Sequence, residues 1–146
     1  MAIVKKLTQD AELRTYAVIL ETGEEAMAAL RDFAQAERLT AAHLSAIGAF
    51  SHGVISYFDW EAKEYRNIPV NEQVEVAALS GDVALDPDEA PAVHVHVVLG
   101  RRDGSALAGH LSTGFVRPTL EVIVTEAPGH LRKQIDPASG LALIRR

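Results

Sequence analysis

The sequence contains no cysteine among its 146 residues. Disulfide bonds and thiolate ligation are therefore both excluded, and any bound metal ion must be held by histidine or carboxylate side chains. The absence of cysteine also fits a reducing compartment, where disulfides are rare. We expect a cytoplasmic protein.

Long hydrophobic runs are missing as well. The N-terminal residues MAIVKKLTQDAELR contain no apolar stretch of the length found in a signal peptide. No later stretch approaches the roughly 20 apolar residues that a membrane-spanning helix needs. We therefore expect a soluble, unprocessed protein with no membrane partner.

Basic charge is in short supply, with 14 lysines and arginines against 20 acidic residues and a formal net charge of -6. Binding of nucleic acid through phosphate neutralisation needs a clustered excess of basic residues, so charge gives a nucleic-acid partner no support. Hydrophobic residues make up 48% and charged residues 23% of the chain. This balance is typical of a folded protein, and we expect a single domain over residues 1–146.

One helix is predicted near the N-terminus, after a first strand. Residues 14–21 are rich in β-branched and aromatic side chains and indicate the strand. Thr22 followed by Glu25 is the capping-box pattern of a helix start. Apolar residues then recur at helical spacing, which predicts an amphipathic helix that ends near Arg38.

The rest of the sequence alternates short apolar runs with turn residues, which is typical of a β-sheet. The acidic loop at residues 86–91 contains two prolines and three acids, which exclude a continuous strand and suggest a hinge or lid. The sequence therefore predicts a mostly β protein with one helix. The predicted strands after the helix are 42–49, 53–58, 64–70, 73–84, 92–99, 105–111, 119–126 and 141–144.

Three histidines stand close together in the segment HVHVVLGRRDGSALAGHL. His94 and His96 alternate with valines and share one face of a strand, because side chains two residues apart point the same way. A three-residue loop at 102–104, with Gly104 in the left-handed conformation, would place His96 directly across from His110. A two-residue loop would shift the register by one and send His110 to the opposite face.

Three converging imidazoles would leave at least one coordination position open to water or substrate, as catalytic zinc sites do. We expect a divalent metal, with zinc favoured, although nickel, cobalt, iron or manganese would also suit these ligands. From the residues alone, a solvated or hydrogen-bonded histidine cluster remains the alternative interpretation.

Five parts of the sequence, in this order, resemble the prokaryotic PPC domain, the plant and prokaryote conserved domain. The resemblance extends over nearly the whole chain. It implies an α+β fold in which a curved antiparallel β-sheet packs with one main α-helix, a fold similar to that of acetolactate decarboxylase, and assembly as a homotrimer. The parts are GAFSHGVISYFD (48–59), Tyr65, VEVAALSGDVAL (74–85), HVHVVLGRRDGSALAGHL (94–111) and TLEVIVTE (119–126).

The function of prokaryotic PPC proteins is unsettled, but many resemble this chain in the pattern formed by His94, His96 and His110. In plants the domain mediates self-association of AT-hook transcription regulators, whose separate Arg-Gly-Arg-Pro hook binds DNA. This chain has no such hook, and Gln73 and Val74 stand where the plant motif has Arg and Phe. A DNA-binding or regulatory protein is therefore an alternative that the resemblance raises and the sequence does not reinforce.

The leading hypothesis is a trimeric protein whose three-histidine metal site faces a pocket for a small oxygen-rich ligand. Glu75 and Glu121 are candidate acid or base groups, although either could instead form a structural salt bridge. Arg117, just before Pro118, is a candidate anion binder or an exposed turn residue. The similarity to acetolactate decarboxylase implies a metal-dependent lyase or hydrolase as another alternative. The protein could also be a pure assembly module, and whether it catalyses any reaction stays open.

Overall fold

The computed structural model describes residues 1–6, 13–127 and 129–145. These residues form one α-helix and nine β-strands. In chain order, the elements are β1 (Ile3–Lys6), β2 (Arg14–Glu21), α1 (Ala26–Ala36), β3 (Ala41–Asp59), β4 (Glu64–Val70), β5 (Val74–Leu85), β6 (Pro91–Gly100), β7 (Ala106–Glu126), β8 (Lys133–Ile135) and β9 (Ala142–Ile144).

Seven strands form one antiparallel sheet in the order β1-β2-β7-β6-β5-β3-β4, and β8 and β9 form a separate two-stranded sheet. Strand β7 also pairs with β3, so β3, β5, β6 and β7 close into a ring of neighbours. This architecture confirms the predicted mostly antiparallel β fold with one helix. No helix in the described part of the chain has the length and apolar character needed to cross a membrane.

The hydrophobic core lies between α1 and the inner face of the ring. Val95, Val97 and Leu99 of β6 are buried there, and Leu30 and Phe33 of α1 belong to the same cluster. Because strand side chains alternate between faces, His94 and His96, which alternate with these buried residues along β6, point outward. The histidines of β6 therefore lie on the outer face of the ring.

Strands β2 and β4 have the bounds that the sequence predicted, but the predicted helix cap is wrong. The helix begins at Ala26, and the Glu25 carboxylate accepts hydrogen bonds from the N–H groups of Met27 and Ala28 at 3.0 and 2.8 Å. The Thr22 hydroxyl instead donates to the Pro118 carbonyl at 2.9 Å. Thr22, which the local sequence assigns to the helix cap, is thus engaged in a contact with a distant part of the chain.

Two pairs of predicted strands are each a single long strand. Strand β3 includes both 42–49 and 53–58, and β7, which begins at Ala106, includes all of 119–126 and all but the first residue of 105–111. Where the sequence suggests turns, the β3–β7 ladder contains register shifts and continues beyond them. Such β-bulges bend a strand without ending it, which is why the breaks were predicted wrongly. The short strands β1 and β8 were not predicted.

The acidic loop between β5 and β6 is a hydrogen-bonded hairpin turn. The Asp86 carboxylate accepts from the backbone N–H groups of Asp88 and Ala90 at 2.8 and 2.9 Å. Glu89 adopts a positive φ of 63° and its carboxylate is paired with the Arg132 guanidinium. The loop is thus a turn closed by its own carboxylates, and the hinge or lid that the sequence suggests stays a prediction.

Candidate metal centre

The loop between β6 and β7 has the predicted three-residue form. The N–H of Arg101 donates to the Ser105 carbonyl at 2.8 Å, and Gly104 has a φ of +83°. The ladder that follows pairs His96 with His110. The register prediction is therefore confirmed, and the glycine at position 104 is what permits the left-handed residue that sets it.

The three histidines converge on one point of the outer face. One ring nitrogen of each lies within 4.8 Å of the other two. The ring centroids are 5.0 Å apart for His94 and His96, 5.2 Å for His94 and His110, and 5.7 Å for His96 and His110. His94 and His110 are half-buried and His96 is exposed, so the cluster is supported by the sheet and open on one side.

The environment keeps two of these imidazoles in the neutral form that a metal ion requires. Burial, and then the neighbouring His94 and His96, lower the pKa of His110 from 6.5 to about 4. Burial, and then the Lys133 ammonium, lower the pKa of His94, and the Asp82 carboxylate opposes that shift. At neutral pH, protons therefore compete little for these two ligands.

Two charged residues, Asp82 and Lys133, lie next to His94. Asp82 is its cross-strand partner on β5, and the Asp82 Oδ2 atom is 3.9 Å from His94 Nδ1. The Lys133 Nζ atom is 3.3 Å from Asp82 Oδ1, and the Lys133 side chain is only 6% exposed. On the other side of the cluster, the Tyr65 ring centroid is 4.9 Å from that of His110.

Sequence reasoning missed both Asp82 and Lys133. A signal for Asp82 did exist, because Leu85 pairs with Pro91 and the same register brings Asp82 opposite His94. Finding it required the exact register across the acidic loop, which the sequence did not give. For Lys133 we find no local signal, since β8 is only three residues long.

The residues present fit a divalent first-row metal ion. His110 Nδ1 is buried and has no hydrogen-bond partner among the described residues. Leaving such an atom unsatisfied costs roughly 1–3 kcal/mol. A metal ion bound by the His110 ring would account for this cost, because the ion would coordinate a ring nitrogen or fix the orientation of the ring. Three imidazoles without thiolates suit zinc, copper, iron or nickel.

The other predicted site residues lie elsewhere. Glu75 and Glu121 come together at a surface pocket of about 530 Å³ that Ile47 also lines, and its lining includes none of the three histidines. Arg117 is exposed on β7, just before Pro118. The structure therefore brings the two glutamates together but not beside the histidine cluster, and their catalytic roles stay predictions.

The lowered pKa of His110 predicts that the metal-free protein loses stability on acidification. The pKa is about 4 in the folded protein and about 6.5 in an unfolded chain. Between these values the unfolded state binds the extra proton, so the free energy of unfolding falls as pH drops from 6.5 toward 4. Allowing for the partial exposure of the ring, we expect a loss of about 1–2 kcal/mol.

Urea denaturation of chelator-treated protein at several pH values measures this effect. His110→Asn should remove the contribution of this group and so flatten the pH dependence relative to the unsubstituted protein. The same slope in both proteins would contradict the assignment.

Comparisons with known proteins agree with this architecture. Residues 7–128 match the Plants and Prokaryotes Conserved (PCC) domain. No curated protein matches the chain. Among solved structures, a plant- and prokaryote-conserved (PPC) protein of Pyrococcus horikoshii is 32% identical with a TM-score of 0.85, covering 100% of this chain and 95% of its own.

Two further structures carry descriptions that concern binding. A protein of Archaeoglobus fulgidus described as metal-containing is 32% identical, with a TM-score of 0.84 and full coverage of both chains at 100%. A Bacteroides thetaiotaomicron protein, provisionally assigned as DNA-binding, is 25% identical, with a TM-score of 0.89 and coverage of 99% of this chain and 97% of its own. Metal and DNA thus both occur in the descriptions of similar structures.

Proposed function

The chain belongs to the Plants and Prokaryotes Conserved domain family, and on that premise we propose that it binds a divalent metal ion through His94, His96 and His110. The observation that carries the proposal is the convergence of the three imidazoles, with ring nitrogens within 4.8 Å of one another. The unpaired, buried Nδ1 atom of His110 supports it. The metal-containing description of the Archaeoglobus fulgidus relative points the same way.

Zinc is the metal we propose. Three protein ligands with an open position are the arrangement of catalytic zinc sites, and the chain has no cysteine to close the site. A bound ion would supply a Lewis acid that polarises an oxygen atom of a small oxygen-rich ligand. The exposed side of the cluster, next to His96, is where such a ligand would enter.

We further propose that residues 1–146 form one domain that assembles as a homotrimer in the cytoplasm. Apolar side chains are exposed on the outer face of the sheet, where Ile47 is 61%, Ile123 43% and Val98 39% exposed. Ile123 is the cross-strand partner of Ser45, so it shares a face with Ile47, two residues further along β3. Exposed apolar side chains on the face of a sheet favour burial between subunits.

The alternative function is a metal-dependent lyase or hydrolase with a fold similar to that of acetolactate decarboxylase. It would use Glu75 or Glu121 as acid or base and Arg117 as an anion binder. The pocket that holds the two glutamates contains no histidine of the cluster, so this reaction would need a second subunit to complete the site. We therefore rank it behind metal and ligand binding without chemistry.

Nucleic acid is a weaker proposal. The provisional DNA-binding assignment of the Bacteroides thetaiotaomicron relative favours it, but the net charge of -6 opposes it. Phosphate contacts would make binding strengthen steeply as salt is lowered. We expect no duplex binding even at low salt, and a salt titration that shows it would revive this function.

Elemental analysis tests the metal proposal directly. The protein would be purified without a histidine tag and without chelators, given one equivalent of zinc, and desalted. We expect about one zinc ion per chain, because the cluster supplies one set of ligands. Retention of no metal by the folded protein would overturn the proposal, and sedimentation velocity on the same sample tests the trimer.

A further inference from the structure

We propose that Asp82 and Lys133 are positioning residues for the metal site. In this arrangement the Asp82 carboxylate accepts a hydrogen bond from His94 Nδ1 and so directs His94 Nε2 toward the ion, while the Lys133 ammonium holds the carboxylate in place. The inference rests on the proposed metal-binding function, and it assigns a role to two residues outside the histidine cluster.

The geometry of Asp82 carries the first step. Its Oδ2 atom is 3.9 Å from His94 Nδ1, slightly longer than a hydrogen bond, and the two residues are direct partners in the β5–β6 ladder. Metal-bound histidines almost always donate their second ring N–H to a carboxylate, a carbonyl or water, which fixes the tautomer and the ring orientation. In the proposed arrangement the two atoms lie closer than this, within hydrogen-bond distance.

The burial of Lys133 carries the second step. A buried ammonium is costly unless it is paired, and this one, 6% exposed, lies 3.3 Å from Asp82 Oδ1. The segment before β8 is attached to β5, because Leu85 N–H donates to the Leu131 carbonyl at 2.8 Å. This attachment places Lys133 beside Asp82 Oδ1, while Asp82 Oδ2 faces His94.

Lys133 also lies outside residues 7–128, the part of the chain that matches the family. The family match therefore does not describe the segment that brings it to Asp82, although the Archaeoglobus fulgidus structure covers that segment too. If Lys133 supports the metal site, the C-terminal two-stranded sheet has a functional reason to be attached at this end of β5.

A simple charge effect is the competing explanation for Asp82, because any nearby negative charge attracts a cation. Two substitutions separate the explanations. Asp82→Asn removes the charge but keeps an oxygen that can accept from His94 Nδ1, whereas Asp82→Ala removes both. A positioning role predicts different results for the two variants, and a charge effect predicts the same result.

Zinc affinity would be measured at constant pH by competition with a chromophoric chelator. We expect Asp82→Ala to weaken binding about 10–100-fold, the range for residues that orient a metal ligand, and Asp82→Asn to recover most of that loss. Equal losses in the two variants, or no loss in Asp82→Ala, would overturn the proposal. Glu21→Ala is the control, since Glu21 is an exposed carboxylate on β2 whose strand partner on β7, Thr119, lies nine residues from His110.

The tautomer of His94 gives a readout that a purely structural role would not move. In zinc-loaded, 15N-labelled protein, long-range 1H–15N spectra should show a protonated Nδ1 and a zinc-bound Nε2 for His94. This signature should persist in Asp82→Asn and be lost in Asp82→Ala. Coordination of zinc through His94 Nδ1 in the unsubstituted protein would contradict the proposal.

Lys133→Met tests the second half of the proposal. The ammonium repels cations, so its removal would strengthen zinc binding if it acted through charge alone. We expect weaker binding, because the carboxylate loses its anchor, and stronger binding would overturn the role of Lys133. The double variant Asp82→Ala/Lys133→Met covers the case in which Asp82→Ala leaves an unpaired buried ammonium and does not fold.

The outcomes also separate this inference from the proposed function. If the unsubstituted protein does not bind zinc, the metal site itself is wrong. If it binds zinc and Asp82→Ala binds equally well, the metal site stands and only the positioning role fails.

Discussion

His96→Ala is expected to weaken zinc binding by at least about 100-fold, more than the loss of a residue that only orients a ligand. The variant removes one of three imidazoles and leaves the ion with two protein ligands. Because His96 is the exposed member of the cluster, its truncation leaves no cavity in the core and the fold should be preserved. Chelator competition measures the affinity, and circular dichroism checks the fold.

The matched control for this experiment is His52→Ala. His52 is also an exposed histidine on a strand, but its ring stacks on Phe115 with centroids 4.5 Å apart and it belongs to no metal-ligand cluster among the described residues. Its removal should leave zinc affinity unchanged. A similar affinity in both variants would mean that the three histidines are an ordinary polar patch.

The second large effect is expected from Gly81→Ala on β5. A Cβ atom at this position would lie 2.1 Å from the His94 carbonyl oxygen and 2.5 Å from Val95 Cγ1. The carbonyl oxygen of His94 is a backbone atom and cannot rotate away, so β5 and β6 would have to separate. We expect the free energy of unfolding to fall by about 3 kcal/mol, at the upper end for inserting a methyl group into a packed site.

Urea denaturation measures this loss, and Gly100→Ala on β6 is the matched control. A Cβ atom at Gly100 would meet its nearest neighbour, Glu75 Cβ, at 3.7 Å, an ordinary contact. Equal stability of the two variants would show that the strands are not as closely packed at Gly81. Since Gly81 adjoins Asp82 and touches His94, zinc affinity should also fall in Gly81→Ala.

The histidine cluster could be predicted from the sequence because it depends on two local rules. Alternation along β6 places His94 and His96 on one face, and the left-handed Gly104 fixes the loop that aligns His110. Both rules act within about 20 residues of sequence, where turn chemistry determines register. The inference needed no knowledge of the rest of the sheet.

The remaining features depend on contacts between distant parts of the chain. Strands β3 and β7 continue through the predicted turns because each is the other's partner over most of its length. Thr22 is not the helix cap because Pro118, far along the chain, accepts its hydroxyl hydrogen. Lys133 is buried because β8 lies beside Asp82. No local pattern encodes these pairings.

The closure of β3, β5, β6 and β7 into a ring has a consequence for how an ion would be captured. Strand β6, which carries two of the three histidines, pairs with β5 along its whole length, and its second half, from His96 to Gly100, also pairs with β7. The backbone amides from His96 to Gly100, which lie between two paired strands, should therefore exchange with solvent deuterium only through large openings of the sheet. The backbone that carries the histidines is ordered before an ion binds, so metal binding costs little conformational entropy. The metal-free protein should therefore be folded, unlike small domains that fold only around their metal.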